Sequence, residues 1–452
     1  MTTYNLLPLI RGIKMRSVID ELRAKNEFQI VDRKVTGHFE LAAVCQASQR
    51  KSEAPILFQQ VDDSQFKVVT NLYGSRERLC RLIGADDGKF CRQWVELINS
   101  GGKAKNQNKV KSADIKRQEI NLMSLPQITY QEKDAGPYIT SGIFLAKDPD
   151  RSIPNLSFHR AMHVDDRELR IRLGTSHHLT HYQLEAEKQN EALEVAILIG
   201  APAPYVFAAA ASIPKDESEV EVANRISSQE ILMRKCQFID LEVPAETEVI
   251  IEGRILPNVK KPEGPFGEFK GNYIPMEDNH VVEVLGVTAR ENPYYHSILC
   301  GSTEDMRLLE VSIATQVYKR LSETLPGIID VACVPNIMST VVQIDQKYDG
   351  HARQVMLTAF GTNHDFNKSC IVVDEDVNIN DFADVYWACM MRASAQNDVL
   401  LIPDVPGFYR DPEKDHWGRL GIDATKPWGR QENFERTMVP GSDSVDLNSY
   451  FV

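Results

Sequence analysis

The sequence predicts a mixed α/β and α+β fold built from several units, and three observations carry that reading. At 452 residues the chain exceeds what one ordinary hydrophobic core supports. Strand-like runs crowd residues 126–303, and helical periodicity brackets them on both sides. A hydrophobic fraction of 42% and a charged fraction of 25% are globular values.

The N-terminal α/β lobe, residues 1–125, opens with MRSVIDELRAKN, where Val18, Ile19 and Leu22 share one helix face. QIVDRKV and APILFQQV read as strands and RERLCRLIG as a helix. Residues 101–125 are polar and punctuated, a loop whose stretch from Lys103 to Lys116 is locally basic. In the second unit, 126–303, the strands include PYITSGIFLAKD, NLSFHRAMHVD, LEVAILIG, EVIIEGRIL and HVVEVLGVTAR. Only two helices are expected among them: SHHLTHYQLEAEKQNEA, with Ser176 as N-cap, and SEVEVANRIS. Strands at this density predict a barrel or a sandwich. Residues 304–324 form a long amphipathic linking helix, followed at 325–404 by a unit of alternating strands and helices. The tail, 405–452, is rich in Pro, Gly and charge and reads as an extended segment that packs on another part of the fold.

Charge and motif content exclude several functions. A net charge of −13 argues against a nucleic-acid surface. No run is long enough for a secretory signal or for the ~18 apolar residues of a membrane span, which predicts a cytoplasmic protein. The eight cysteines contain no C-x-x-C and mostly sit in apolar runs, as buried thiols of a reducing compartment do. The P-loop, G-x-G-x-x-G, H-E-x-x-H and G-x-S-x-G signatures are all absent. Nucleotide hydrolysis, simple Rossmann dehydrogenation and serine hydrolysis lose their support.

The stretch EGPFGE holds Glu263 and Glu268 five residues apart around Gly264, Pro265 and Gly267. Two carboxylates held near one another push their pKa values apart, so one can act as an acid while the other stays charged. Two surface glutamates on a solvated loop would give the same spacing. Arg160, in NLSFHRAMHVD, falls on the opposite strand face from Asn155, Ser157 and His159 by alternation, and an inward arginine needs a carboxylate such as Glu263 or Glu268. His177 and His181 stand four apart at a helix start, either as metal ligands or as ordinary polar residues.

Taken in order, these pieces resemble the UbiD family of reversible decarboxylases. KDAGPYITSGI, Asn155 with Arg160, His178, Ser218-Glu219, EGPFGE, YYHSILCGSTED, VVDEDVNINDFADVYWA and GIDAT match the family's sequence over nearly the whole chain. The resemblance implies a split β-barrel like that of flavin reductases, holding prenylated FMN, and a C-terminal α/β oligomerisation domain. It implies a homodimer or a larger homo-oligomer, and a flavin prenyltransferase as cofactor supplier. Arg160, Glu263 and Glu268 match its catalytic trio, and Asn155, His178 and Glu219 its Mn²⁺ (or Mg²⁺) ligands, which tie the cofactor phosphate to the protein. Such an O/N donor set suits those ions. A K⁺ would lie by the alanine-rich stretch Ala208–Pro214, and Arg419 falls where many members carry a cofactor-contacting lysine.

The activity implied is that of a carboxy-lyase, with Glu268 as proton donor after CO₂ has left. His296, and with it His177 and Phe269, is expected to shape the substrate pocket. These polar candidates favour a small aromatic or heteroaromatic carboxylic acid. An α,β-unsaturated acid, or a polyprenyl hydroxybenzoate, is the alternative within the family. A non-catalytic flavin-binding protein is the alternative from another class, and an intact acid trio speaks against it.

Overall fold

The computed structural model describes residues 14–86, 88–99, 115–174, 177–362, 365–437, 439–441, 445 and 449–450. Ser176 and most of the basic stretch Lys103–Lys116 lie outside the described residues. The chain divides into two compact units at Gln316/Val317.

The first unit starts with α1 (Met15–Ala24), which buries Val18, Ile19 and Leu22 as its periodicity requires. Next come β1 (Gln29–Val31), α2 (Glu40–Gln49), β2 (Ile56–Phe58), β3 (Lys67–Thr70), α3 (Arg76–Ile83) and α4 (Phe90–Asn99). Strands β1, β2 and β3 form a small sheet completed by Tyr294–His296, which pairs parallel to β3.

A larger antiparallel sheet comes next. Its strands are β4 (Arg117–Ile120), β5 (Tyr138–Ile139), β6 (Ile143–Lys147), β7 (Pro154–Phe158), β8 (Ala161–His163) and β9 (Glu168–Ile171). After α5 (His178–Gln189) come β10 (Leu193–Ile199), α6 (Ala203–Ala209), α7 (Glu219–Ile226), β11 (Met233–Lys235) and β12 (Glu242–Pro244). The unit closes with β13 (Val249–Glu263), β14 (Phe266–Gly267), β15 (Tyr273–Ile274), β16 (Glu277–Arg290), β17 (Tyr294–His296) and the start of α8 (Thr303–Thr324).

The large sheet runs β5-β8-β9-β16-β13-β10-β6-β7, with β4 added on β16. This order forces it to curl. Six strand spacings separate β8 from β7 along the sheet, roughly 30 Å if flat. Yet the chain passes from Phe158 to Ala161 through His159 and Arg160 alone, a reach of about 11 Å. The two ends must therefore meet, and bulges at Glu252/Gly253 and Ile255/Lys260 supply the bend. The result is a half-barrel around a core that includes Tyr138, Phe144, Ile197, Ile251 and Phe266.

Two expectations for this unit need correction. Arg160 sits in the seam between β7 and β8 rather than inside one strand, so face alternation does not position it. The strand-rich segment also holds a third helix, α6, which is buried from Ala203 to Ala208 on every side and shows no 3.6-residue polarity pattern.

The second unit continues from α8 into β18 (Ile328–Ala332), β19 (Ser339–Ile344), α9 (His351–Phe360), β20 (Ser369–Asp374), α10 (Phe382–Arg392), β21 (Val399–Ile402) and β22 (Arg419–Asp423). Its sheet runs β18-β19-β20-β22-β21. Residues beyond 404 are thus not merely a tail packing elsewhere. Leu420 pairs with Ser369 on one side and Leu401 on the other, so β22 is an interior strand. Its hydrogen bonds to two neighbours compensate for its brevity. Among the described residues, no helix is long and apolar enough to cross a membrane.

Candidate active site

The seam places Arg160 against the far end of β13. Its Nε and Nη2 each donate to a different oxygen of Glu263, both at 2.9 Å. Glu263 is fully buried, and Asn279 Nδ2 donates a third bond at 2.9 Å. The guanidinium lies 4.5 Å over the Phe266 ring, which meets Tyr138 at 4.6 Å. Burial, and then the charge of Glu263, raise the Tyr138 phenol far above its ordinary range.

Glu263 is the last residue of β13, and Glu268 comes directly after β14. The turn between them is sewn to a neighbouring loop. Gly267 N–H donates to Asp134 Oδ1 at 2.8 Å, and Ala135 N–H donates to the Pro265 carbonyl at 2.9 Å. Burial raises the Asp134 carboxyl, with backbone donors and Arg160 opposing the shift. Glu268 is buried, and its own backbone closes a tight turn with Gly271 and Asn272. Both acids are therefore buried at the two ends of one short stretch. The surface-loop reading of the pair does not hold.

Cys300 and Asp305 stand close by. Gly301 N–H donates to Asp305 at 2.7 Å, and burial pushes that carboxyl up to about 6. Burial also raises the Cys300 thiol well above its usual value, while Arg160 pulls it partly back. A thiol so disfavoured as thiolate is no nucleophile.

Asn155, His178 and Glu219 converge at the β7 end of the same half-barrel. His178 Nδ1 is 3.4 Å from Glu219 Oε1, and Leu156 N–H donates to Glu219 Oε2 at 3.2 Å. Ser218 caps α7 and donates to the Pro154 carbonyl, fixing the helix start that carries Glu219 beside β7. Among the described residues no three His, Cys, Asp or Glu side chains form a metal-binding group. An amide oxygen, an imidazole and one carboxylate nevertheless form a hard, mixed donor set that fits Mn²⁺ or Mg²⁺. A cleft of about 230 Å³ adjoins His178, and its wall mixes Arg151 and Lys215 with Asp148, Asp150 and Glu185, Arg151 being paired with Asp148 at 3.0 Å.

The remaining candidates divide between the barrel, the core and the second unit. His177 is the extended residue before α5, so it shares no helix face with His181, and its ring lies 5.0 Å from that of His159. Phe269 is half-buried, its backbone against Gly301. His296 is buried with Nε2 2.9 Å from Glu304 Oε1, and its ring meets Tyr73 edge-on at 5.8 Å. Those contacts fix the orientation of its ring. Ser212, the hydroxyl in Ala208–Pro214, accepts a hydrogen bond from Gln316. Arg419 belongs to the second unit, where it donates to the Pro406 carbonyl at 3.2 Å and lies 5.0 Å from the Trp417 ring. Asn279, Asp134 and Asp305 were not legible as site residues. Asn279 in particular reaches Glu263 only through the β13–β16 register.

Three consecutive stretches match domains of 3-octaprenyl-4-hydroxybenzoate carboxy-lyase: residues 19–98 the N-terminal domain, 103–303 the Rift-related domain and 307–424 the C-terminal domain. These matches define a carboxy-lyase. The chain belongs to the UbiD family of prenylated-FMN-dependent decarboxylases. It is 30% identical over 437 residues to anhydromevalonate phosphate decarboxylase of Methanosarcina mazei, covering 94% of this chain and 99% of that one. The UbiD-class enzyme HmfF from Pelotomaculum thermopropionicum, solved with FMN, superposes with a TM-score of 0.87 at 32% identity, over 97% of this chain and 100% of that one. An evolved dimeric form of that enzyme with prenylated FMN gives 0.85 at 31%, with the same coverage.

Proposed function

We propose that this chain releases CO₂ from a small aromatic or heteroaromatic acid, with Arg160, Glu263 and Glu268 as its catalytic residues. The observation that carries the reading is the buried Arg160–Glu263 pair on the loop that also holds Glu268. Prenylated FMN, when bound, supplies an electron sink for a carbon that would otherwise keep an unstable aryl or vinyl electron pair. The protein positions and protonates. Glu263 occupies Nε and Nη2 of Arg160, so Nη1 faces the task of orienting a substrate carboxylate. Glu268, neutral before transfer, gives its proton to the vacated carbon. Asn155, His178 and Glu219 would hold Mn²⁺ or Mg²⁺ against the cofactor phosphate. A K⁺ beside them would rest on backbone carbonyls of Ala208–Pro214.

The second reading is an α,β-unsaturated acid bearing a phosphate. The relative from Methanosarcina mazei, named for a phosphorylated acid, favours it. Both are separated by offering heteroaromatic, hydroxybenzoic, acrylic and phosphorylated unsaturated acids, in D₂O, to protein co-expressed with a flavin prenyltransferase. One class is expected to lose CO₂ and gain one deuterium at the vacated carbon. If no acid released CO₂ and no product exchanged deuterium, the enzymatic reading would fail. Glu268→Gln should retain the cofactor and lose about 10²–10⁴-fold in turnover. Undiminished turnover would remove Glu268 from the donor role.

A further inference from the structure

Strand β7 carries a hydrogen-bond chain behind Asn155. Ser157 Oγ donates to Asn155 Oδ1 at 3.1 Å, and His159 Nε2 is 2.8 Å from the same Ser157 oxygen. All three side chains are buried. An amide oxygen only accepts, so it takes the single Ser157 hydroxyl proton. Ser157 then offers His159 nothing but a lone pair, and His159 must present Nε2–H. The chain is therefore directional: His159 Nε2–H to Ser157 Oγ–H to Asn155 Oδ1.

The same histidine reaches the other arm of the cluster. Its ring meets Phe144 edge-on at 5.3 Å and His177 at 5.0 Å, and His177 directly precedes His178. Between Asn155 and Ser157, Leu156 N–H holds Glu219. Asn155, Leu156 and Ser157 thus orient ligands on β7 and α7, and the His159 ring lies against His177, the residue before the third ligand.

We propose that Ser157 and His159 are positioning residues that set the amide orientation of Asn155 and the approach of His178 at the metal and phosphate end of the site. An amide can turn either end to a cation, and only the oxygen end binds it. The Ser157 hydroxyl selects the oxygen and leaves its second lone pair available. The bond draws some electron density from that oxygen, so its benefit is orientation, not basicity. Loss of such outer partners commonly costs 10–100-fold in metal affinity. This inference rests on the proposal that Asn155, His178 and Glu219 hold a divalent metal.

The test uses the full-length protein with Mn²⁺ and FMN as probes, read by the electron-spin signal of free Mn²⁺ and by FMN fluorescence. The unsubstituted protein should bind Mn²⁺ in the presence of FMN. Ser157→Ala and His159→Phe should each weaken that binding about 10–100-fold. His159→Gln, which restores an N–H donor to Ser157, should recover most of it. Should His159→Phe not fold, Ser157→Ala carries the comparison, since it removes one buried oxygen. Equal Mn²⁺ affinity in Ser157→Ala and the unsubstituted protein would overturn the inference. FMN binding without any uptake of Mn²⁺ by the unsubstituted protein would instead overturn the metal reading beneath it.

Discussion

Glu263 is wholly buried, and Arg160 with Asn279 makes that tolerable. Removing the guanidinium leaves a carboxylate without its counter-charge in low dielectric. Arg160→Ala should therefore lose about 3–5 kcal/mol in urea unfolding. Replacing both members, Arg160→Met with Glu263→Leu, should recover most of that stability while turnover stays absent. A double variant as unstable as Arg160→Ala would mean that the cost is one of shape rather than charge. His163 poses the reverse problem. The residue is 5% exposed, neither ring nitrogen has a hydrogen-bond partner among the described residues, and burial pushes its pKa down from 6.5 to about 4. Below about 6.5 the unfolded chain takes up a proton that the folded one refuses until about 4. Stability present above 6.5 should thus fall as pH drops through that window, by roughly 3 kcal/mol in total. Unfolding of the unsubstituted protein and of His163→Leu at pH 7 and pH 5 checks this, the variant lacking that component of the pH slope.

At the scale of elements, the turn from the end of β13 through β14 carries Glu263 and Glu268, the proposed catalytic acids, and its glycines hold its shape. Gly264 has φ of 97°, and an added Cβ would stand 3.2 Å from the Pro275 carbonyl oxygen. At Gly267 an added Cβ would come within 2.5 Å of Gln131 Cγ. Gly264→Ala is expected to cost about 1–3 kcal/mol and to reduce turnover by shifting Glu263 and Glu268 together. Urea unfolding and the rate of CO₂ release measure the two effects, and an unchanged rate would separate the loop's shape from the chemistry. This loop was legible because carboxylates at both ends of a Gly-Pro turn exceed what chain reversal requires. The pairing of Arg160 with Glu263 was only conditionally legible. The two are far apart in sequence and meet because β7 and β8 close the half-barrel on either side of Arg160. The shared face of Asn155, Ser157 and His159 was legible from alternation, but the hydrogen bonds that link them were not. α6 escaped because a helix buried on all sides has no polar face to betray its period.

For the whole molecule, the second unit decides where the chain can be cut. Its α10 exposes Phe382, Tyr386 and Met390, four residues apart in succession on one helix face. The β22 strand was missed because Arg419–Asp423 is only five residues long and set among Gly, Pro and charges. Short strands survive when both edges are paired, and β22 bonds β20 in parallel and β21 antiparallel. The segment after β22 is also tied in. Arg436 pairs with Asp384 and stacks 4.3 Å from the Trp387 ring, and Lys426 Nζ lies 3.0 Å from Asp376. A chain ending after Pro403 would lose the strand between β20 and β21 and these clamps together. It should not hold the second unit folded, and limited proteolysis should cut within residues 317–403. A chain ending after Thr437 keeps β22 and Arg436, and should resist protease as the full chain does. Equal protection of 317–403 in both truncations would show that β22 covers the sheet without being needed to complete it.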